Sequence, residues 1–500
     1  MVLETTLRDV DPRFAITNYD VKLSRLIAPG LTTVDSEDLE PRLHLAESLR
    51  RIDDTHWRVR LKPGLLFSDG TPVSASDVAF TYTSVLAEET KSLYRKSFGE
   101  RFSEVRVVDA NEVEFVLHSP IATLQSDLDF GILSEKAALA GKVVGAGPFA
   151  LKSFAPERVE LTRNTQYSLG PVAKIERVVV RTVRDGNARN LMLVGGSADF
   201  TQNAVRVDLV DFIERRKRVS VVSGESAILT YLMMHNEDPL LSDVRVRRAI
   251  ALAIDRKRIV EAKYGGRATL ATGLLPRFHW AYEGDVPRYE FDRERAAALL
   301  DEAGYPDPDG PGGEPRFRVS YKTSASQFRL AVARVIAAQL SEIGIAVDVQ
   351  SFEFGTFFAD VKKGNYQLAS MQTSAISEPD FYYTYFHSSR IPDADNLHVH
   401  NRWHYRNATL DALVERGRIT MDRDARKDIY AEVQRIVAAD VPIVPLWHEH
   451  NIAVMNRSVT GYALLPNARL ANFASIEKTS KKTKAATTNS VEKTTPTAKP

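Results

Sequence analysis

Histidine is the side chain best suited to chemistry at neutral pH, and two of this chain's histidine groups are spaced closely enough to act together. His398 and His400 would share one face of a strand, and His404 lies four beyond His400, a helical spacing. Imidazoles so placed suit nickel, copper or zinc. The stretch around them, Asn396–Arg406, is polar and mixed in period, so solvated loop histidines are expected there rather than a metal site. His448-Glu449-His450 begins like a zinc-protease helix, but Ile452 stands where the second histidine would have to be. Gly145-Ala146-Gly147 has Ala150 at the third glycine position, so a turn into a strand is expected and not a dinucleotide fingerprint. No Gly-x-Ser-x-Gly elbow, Walker A loop or His-Glu-x-x-His occurs, and the carboxylates are scattered. There is no cysteine, which excludes disulfides, thiolate ligands and thiol nucleophiles in this span. No enzyme activity, no cofactor and no metal are expected.

Binding is the remaining class, and the elements that could hold a ligand follow from the pattern. Five hundred residues exceed what one core serves, so two or more lobes are expected. The net charge is +1, yet residues 475–500 hold six Lys against Glu477 and Glu492, leaving the rest of the chain slightly acidic. That leaves no basic field for nucleic acid. No run approaches the ~18 apolar residues of a membrane helix, and Met1-Val2-Leu3-Glu4 does not open a signal peptide.

Trp57, Val59 and Leu61 alternate with Arg58, Arg60 and Lys62, the period of a strand with one wet face. Asp69-Gly70 marks a turn, and Ser74 with Asp77 has capping-box spacing before an apolar run. Asp11 to Leu31 reads as a loop and a helix ending at Pro29-Gly30. Phe149, Leu151, Val159 and Leu161 mark a hairpin. From Leu229 onward strands and helices alternate: a strand at Phe317–Lys322, a helix at about 327–343, strands at Ile345–Val349 and Gln367–Gln372. That alternation implies a partly parallel sheet covered by helices. The Thr- and Lys-rich stretch from Ser475 is too polar to bury a core and is expected to be disordered.

Residues 45–82, LAESLRRIDDTHWRVRLKPGLLFSDGTPVSASDVAFTY, resemble the signature of the peptide-, oligopeptide- and nickel-type solute-binding proteins of ABC importers. Val143–Asn164, Leu229–Lys263 and Phe317–Phe386 match the same family in the same order, so the resemblance runs from about Asp11 to Phe473. It implies an α/β periplasmic-binding-protein-like fold of the class II (cluster C) type, with two lobes and an inserted subdomain. The expected first lobe takes residues 1–36, 155–230 and 456–474, its inserted subdomain 37–154, and the second lobe 231–455. The family is exported, so the resemblance also implies a leader and a first strand that are missing before Val10–Pro12. A start assigned too far downstream accounts for this better than an intracellular protein.

The function implied is capture of a small peptide or other polar solute by hinge closure, then delivery to membrane permease subunits, by a monomer outside the cytoplasm. The resemblance points to two ligand loops in the second lobe, one giving Tyr321, Thr323 and Ser324, the other Gln372, Thr373 and Ser374. His235 and Asn236 at the end of a crossing strand, and Trp447 before the return strand, are further candidates. Peptide-binding members carry a Trp-x-x-Asp ahead of the Glu-Pro pair, the Asp neutralising the peptide ammonium. Here those positions hold Gln372 and Ala375. A buried ammonium without a counter-ion costs several kcal/mol, so an uncharged or acidic solute fits better, for example an oligosaccharide, an opine-like compound or a modified peptide. An intracellular sensor with the same fold and a nickel-chelate binder remain open as alternatives at this point.

Overall fold

The strand Leu229–Met234 is buried at all six positions because it lies inside a six-stranded sheet with helices on both faces. Its neighbours are Leu368–Gln372 on one side and Ile443–Glu449 on the other, both antiparallel to it. Phe317–Ser324 and Ile345–Phe352 extend the sheet in parallel beyond Leu368–Gln372, and Ala268–Leu270 closes the opposite edge. Side chains alternate as the pleat requires. Leu232 and Met234 enter a core with Val246, Ile250 and Ile336, whereas Tyr231 and Met233 enter a second core with Tyr382, Leu410 and Tyr430. This is the second lobe of an α/β fold. The computed structural model describes residues 1–310, 312–373 and 375–479.

The first lobe is built on two smaller sheets. One runs Val2–Leu3, Arg177–Thr182, Arg158–Arg163, Phe149–Ala155, and the other Phe200–Gln202, Asn451–Asn456, Val219–Gly224. Val2–Leu3 pairs in parallel with Arg181–Thr182, so the first strand expected to be missing is present. The inserted subdomain is a four-stranded antiparallel sheet, Ala46–Arg51, His56–Leu61, Glu112–Leu117 and Phe102–Asp109. The helix Ala75–Leu86 covers its dry face, with Tyr82 packed against Phe98, Phe102 and Phe115. The wet face carries Arg58 on Glu114 at 3.2 Å and Arg60 on Glu112 at 3.3 Å. The helix begins at the expected capping box, with Ser74 N–H donating to Asp77 at 2.9 Å.

Strand pairing corrects four expected boundaries. The limit at 230/231 cuts the strand Leu229–Met234, which pairs along its whole length in the second lobe's sheet. A limit at 154/155 cuts the strand Phe149–Ala155, which pairs with Arg158–Arg163 and so belongs to the first lobe's sheet. A limit at 455/456 cuts Asn451–Asn456, whose partners Phe200–Gln202 and Val219–Gly224 are first-lobe strands. The chain has therefore already crossed back at His450. The polar tail starts later than expected. Ile476 is buried, and Glu477–Lys478 pairs with Val459–Thr460. The rest of the stretch expected to be disordered, residues 480–500, lies outside the described residues.

Candidate ligand-binding site

Four strands of the large sheet run the same way: Phe317–Ser324, Ile345–Phe352, Leu368–Gln372 and Ile443–Glu449. Their carboxyl ends therefore meet at one edge, the place where open α/β sheets offer loop groups to ligands. Leu229 begins its antiparallel strand at that same edge, just after the chain arrives from the first lobe. The crossing is tied down by Ala227 N–H donating to Pro466 C=O and Ile376 N–H donating to Ala227 C=O. The second crossing, at His450, lies beside it.

A cavity of about 340 Å³ occupies the seam between the lobes here. From the first lobe, Thr17, Asn18, Tyr19 and Lys22 line it, carried by the cap and the first two turns of the helix Asn18–Ile27. Thr17 and Asp20 form a reciprocal capping box, each accepting from the other's N–H at 3.2 Å, which fixes the first turn at the cavity wall. From the second lobe come Tyr264, Arg267, Gln372 and Glu449. Glu449 Oε1 accepts from Thr230 Oγ1 at 2.7 Å and Tyr264 Oη at 3.1 Å, and Arg329 approaches it to 3.5 Å. Arg329 also donates to Gln372 Oε1 at 3.1 Å. Burial pushes the Tyr264 hydroxyl up, with the Glu449 carboxylate adding to it, so Tyr264 stays a neutral donor. Burial also lowers the His450 imidazole, which lies 3.1 Å from Thr269 Oγ1.

The lobes also meet away from the cavity. Ser126 of the inserted subdomain donates to Glu378 Oε2 at 2.9 Å, while Glu378 Oε1 is held by Arg426. Ala122 N–H donates to Arg418 C=O at 2.7 Å, and Arg423 reaches Glu40 at 2.7 Å. Burial raises Glu378 and Asp127, and lifts Asp380 to about 6 against the pull of Arg418 at 3.2 Å. Glu378 is therefore committed to this contact between the lobes.

Of the residues expected from sequence, Gln372 lines the cavity and Ser324 is half-buried at the sheet edge. Thr373 is at the edge but is used by the fold, its Oγ1 accepting the Leu229 N–H at 3.1 Å. Ser374 lies outside the described residues. Thr323 is 1% exposed and Tyr321 is fully buried, because each sits short of its strand's end and points into the core beneath it. Trp447 is also fully buried, packed on Tyr264 at 5.2 Å, and Glu449 two residues later takes the place expected for it.

His235 and Asn236 are on the wrong end of their strand. The crossing precedes Leu229 rather than following Met234, which puts them ~20 Å from the seam at the usual rise per residue. There Asn236 donates to Met234 and Pro442 carbonyls, and the His235 ring lies 4.5 Å from His404. The segment 396–406 is not the solvated loop expected. Asn401 and Trp403 are buried and Asn401 ties it down through Phe386, His387 and Tyr405 carbonyls. His398 is exposed, His400 faces Tyr385 and His404 bonds Glu237 at 3.0 Å, so the three do not converge.

Sequence reasoning missed Thr17, Asn18, Lys22, Tyr264, Arg329 and Glu449. The Thr17–Asp20 spacing signals a helix start, but nothing in it says that the first turn faces a second lobe.

A family model described as bacterial extracellular solute-binding proteins, family 5 (middle) matches residues 40–393, well over half of the chain. The oligopeptide-binding protein AppA of Bacillus subtilis (strain 168) is 27% identical over 487 residues, covering 92% of this chain and 88% of its own. The probable D,D-dipeptide-binding periplasmic protein DdpA of Escherichia coli (strain K12) is 27% identical over 489 residues, covering 91% and 89%. The solved structure of Bacillus subtilis AppA in complex with a nonapeptide matches with a TM-score of 0.75 at 25% identity, covering 96% of this chain and 98% of that one. No described helix is long and apolar enough to cross a membrane. The chain belongs to the bacterial extracellular solute-binding proteins, family 5.

Proposed function

We propose that this protein captures a short peptide or a related polar solute in the cavity at the lobe seam and presents it, closed, to the permease of an ABC importer. The observation that carries this is the composition of the cavity wall. One lobe supplies Asn18, Tyr19 and Lys22, the other Tyr264, Gln372 and Glu449, and the crossing at His450 joins them. A ligand there touches both lobes at once, so it favours the arrangement in which they are together; that differential contact is what drives a hinge. Peptide-binding relatives of similar length on both sides support the ligand class. The cavity volume suits a small solute. Such a protein works outside the cytoplasm as a monomer, since its output is a change of shape read by the permease, and it makes and breaks no bond.

Within this reading the peptide ammonium is not held by the loop after Gln372, where Ala375 offers no charge and Glu378 is occupied by Arg426 and Ser126. Mass spectrometry of the solute released from natively purified protein tests the proposal. Short peptides or another polar solute near one equivalent are expected, chemically unchanged after incubation with the protein. Conversion of the added solute to products would contradict it.

A further inference from the structure

Four charged side chains line the cavity, two acidic and two basic, and three of them are held by protein partners. Glu4 lies 3.6 Å from Arg189. Glu449 is matched by Arg329, Thr230 and Tyr264. Arg267 donates to Asp211 at 2.7 Å and to Glu214 at 3.4 Å, outside the cavity. Lys22 is left over. It is 3% exposed, and its Nζ makes no hydrogen bond or ion pair with any described residue. Its near neighbour is the face of Tyr19, 5.2 Å from the ammonium, a weak substitute for a counter-ion. Glu4 and Arg469 act on it with opposite signs, and neither bonds to it. Burial lowers the ammonium to about 8, which leaves it largely protonated at neutral pH.

We propose that Lys22 receives an acidic group of the ligand, a carboxylate belonging to a short peptide or to another small organic acid. The inference rests on the reading of this cavity as the ligand site and adds the charge that the ligand must bring. The alternative to pairing is an unmatched cation shut inside the closed protein, which is costly. Selection then has two parts. An anion-receiving group stands ready on the first lobe, whereas the second lobe has no free carboxylate at Ala375 to receive a cation. Closure over a solute with a free acid and no need of an ammonium anchor is favoured; closure over an amide or a purely cationic solute is not.

Calorimetric titration of the full chain, freed of bound solute by unfolding and refolding, tests this. The probes are a mixed-sequence tripeptide library with free carboxyl ends, the same library as carboxyl-terminal amides, and glutarate. The free acids are expected to bind wild type at least tenfold more tightly than the amides. Lys22→Met, which keeps the side-chain length and removes the charge, is expected to reduce that preference below twofold. Equal binding of acids and amides by wild type, or an undiminished preference in Lys22→Met, would overturn the assignment while leaving peptide capture intact. The wild-type ratio decides alone if Lys22→Met fails to fold. If neither peptide form binds, the peptide reading fails, and glutarate settles the charge. Binding that Lys22→Met abolishes retains the assignment for a non-peptide acid, and a flat titration overturns it.

Discussion

At the scale of single residues, the sheet edge divides its polar groups between the fold and the solute. Thr373 illustrates the first use: its N–H donates to Leu229 C=O and its Oγ1 accepts from Leu229 N–H, so one residue closes the end of a buried strand pair. Thr373→Val keeps the shape and strands the Leu229 N–H. A loss of about 1–3 kcal/mol is expected in chemical denaturation, and an unchanged midpoint would show that the backbone finds another partner. Gln372 and Lys22 illustrate the second use. Gln372 was legible from the resemblance, because it ends a strand in a stretch that the family uses. Lys22 was not legible. It sits on the amphipathic helix Asn18–Ile27, where helical period separates buried from wet positions but cannot tell a core from a cavity roofed by the other lobe. Trp447 and Tyr321 fail in the opposite sense, since large aromatics near a strand end look like ligand platforms until the depth of the sheet is known.

At the scale of elements, the alternation of strand and helix after Leu229 and the hairpin at Phe149–Arg163 were readable, because each is written in local period and punctuation. Sheet order was not. Leu229–Met234 lies between Leu368–Gln372 and Ile443–Glu449, partners more than a hundred residues away, and no local signal sets that choice. The same limit explains the misplaced boundaries and the reversed placing of His235. Gly145-Ala146-Gly147 gains a meaning that the pattern alone left as a turn. Gly147 N–H donates to Ile27 C=O at 2.8 Å, and a Cβ on Gly147 would meet Ile27 C at 2.8 Å and the Leu26 carbonyl closer still. This glycine lets the chain from the inserted subdomain pass against the helix that carries Lys22. Gly147→Ala is expected to destabilise by about 3 kcal/mol in denaturant unfolding. A shift below a few tenths would mean that the helix yields freely, and the cavity wall with it.

At the scale of the whole molecule, two sets of contacts hold the lobes together. The crossing strands are covalent and permanent. The contacts of Glu378, Arg418 and Arg423 with Ser126, Ala122 and Glu40, and of Arg267 with Asp211 and Glu214, are polar, of a kind that can part without disturbing either core. A solute that spans Lys22 and Glu449 adds to the second set only when the lobes are together. Small-angle X-ray scattering of the solute-free protein, titrated with the free-acid tripeptide library, tests this most directly. The account predicts a radius of gyration that falls with added peptide and saturates with the calorimetric binding curve. Saturating peptide that binds in the calorimeter but leaves the scattering profile unchanged would contradict it.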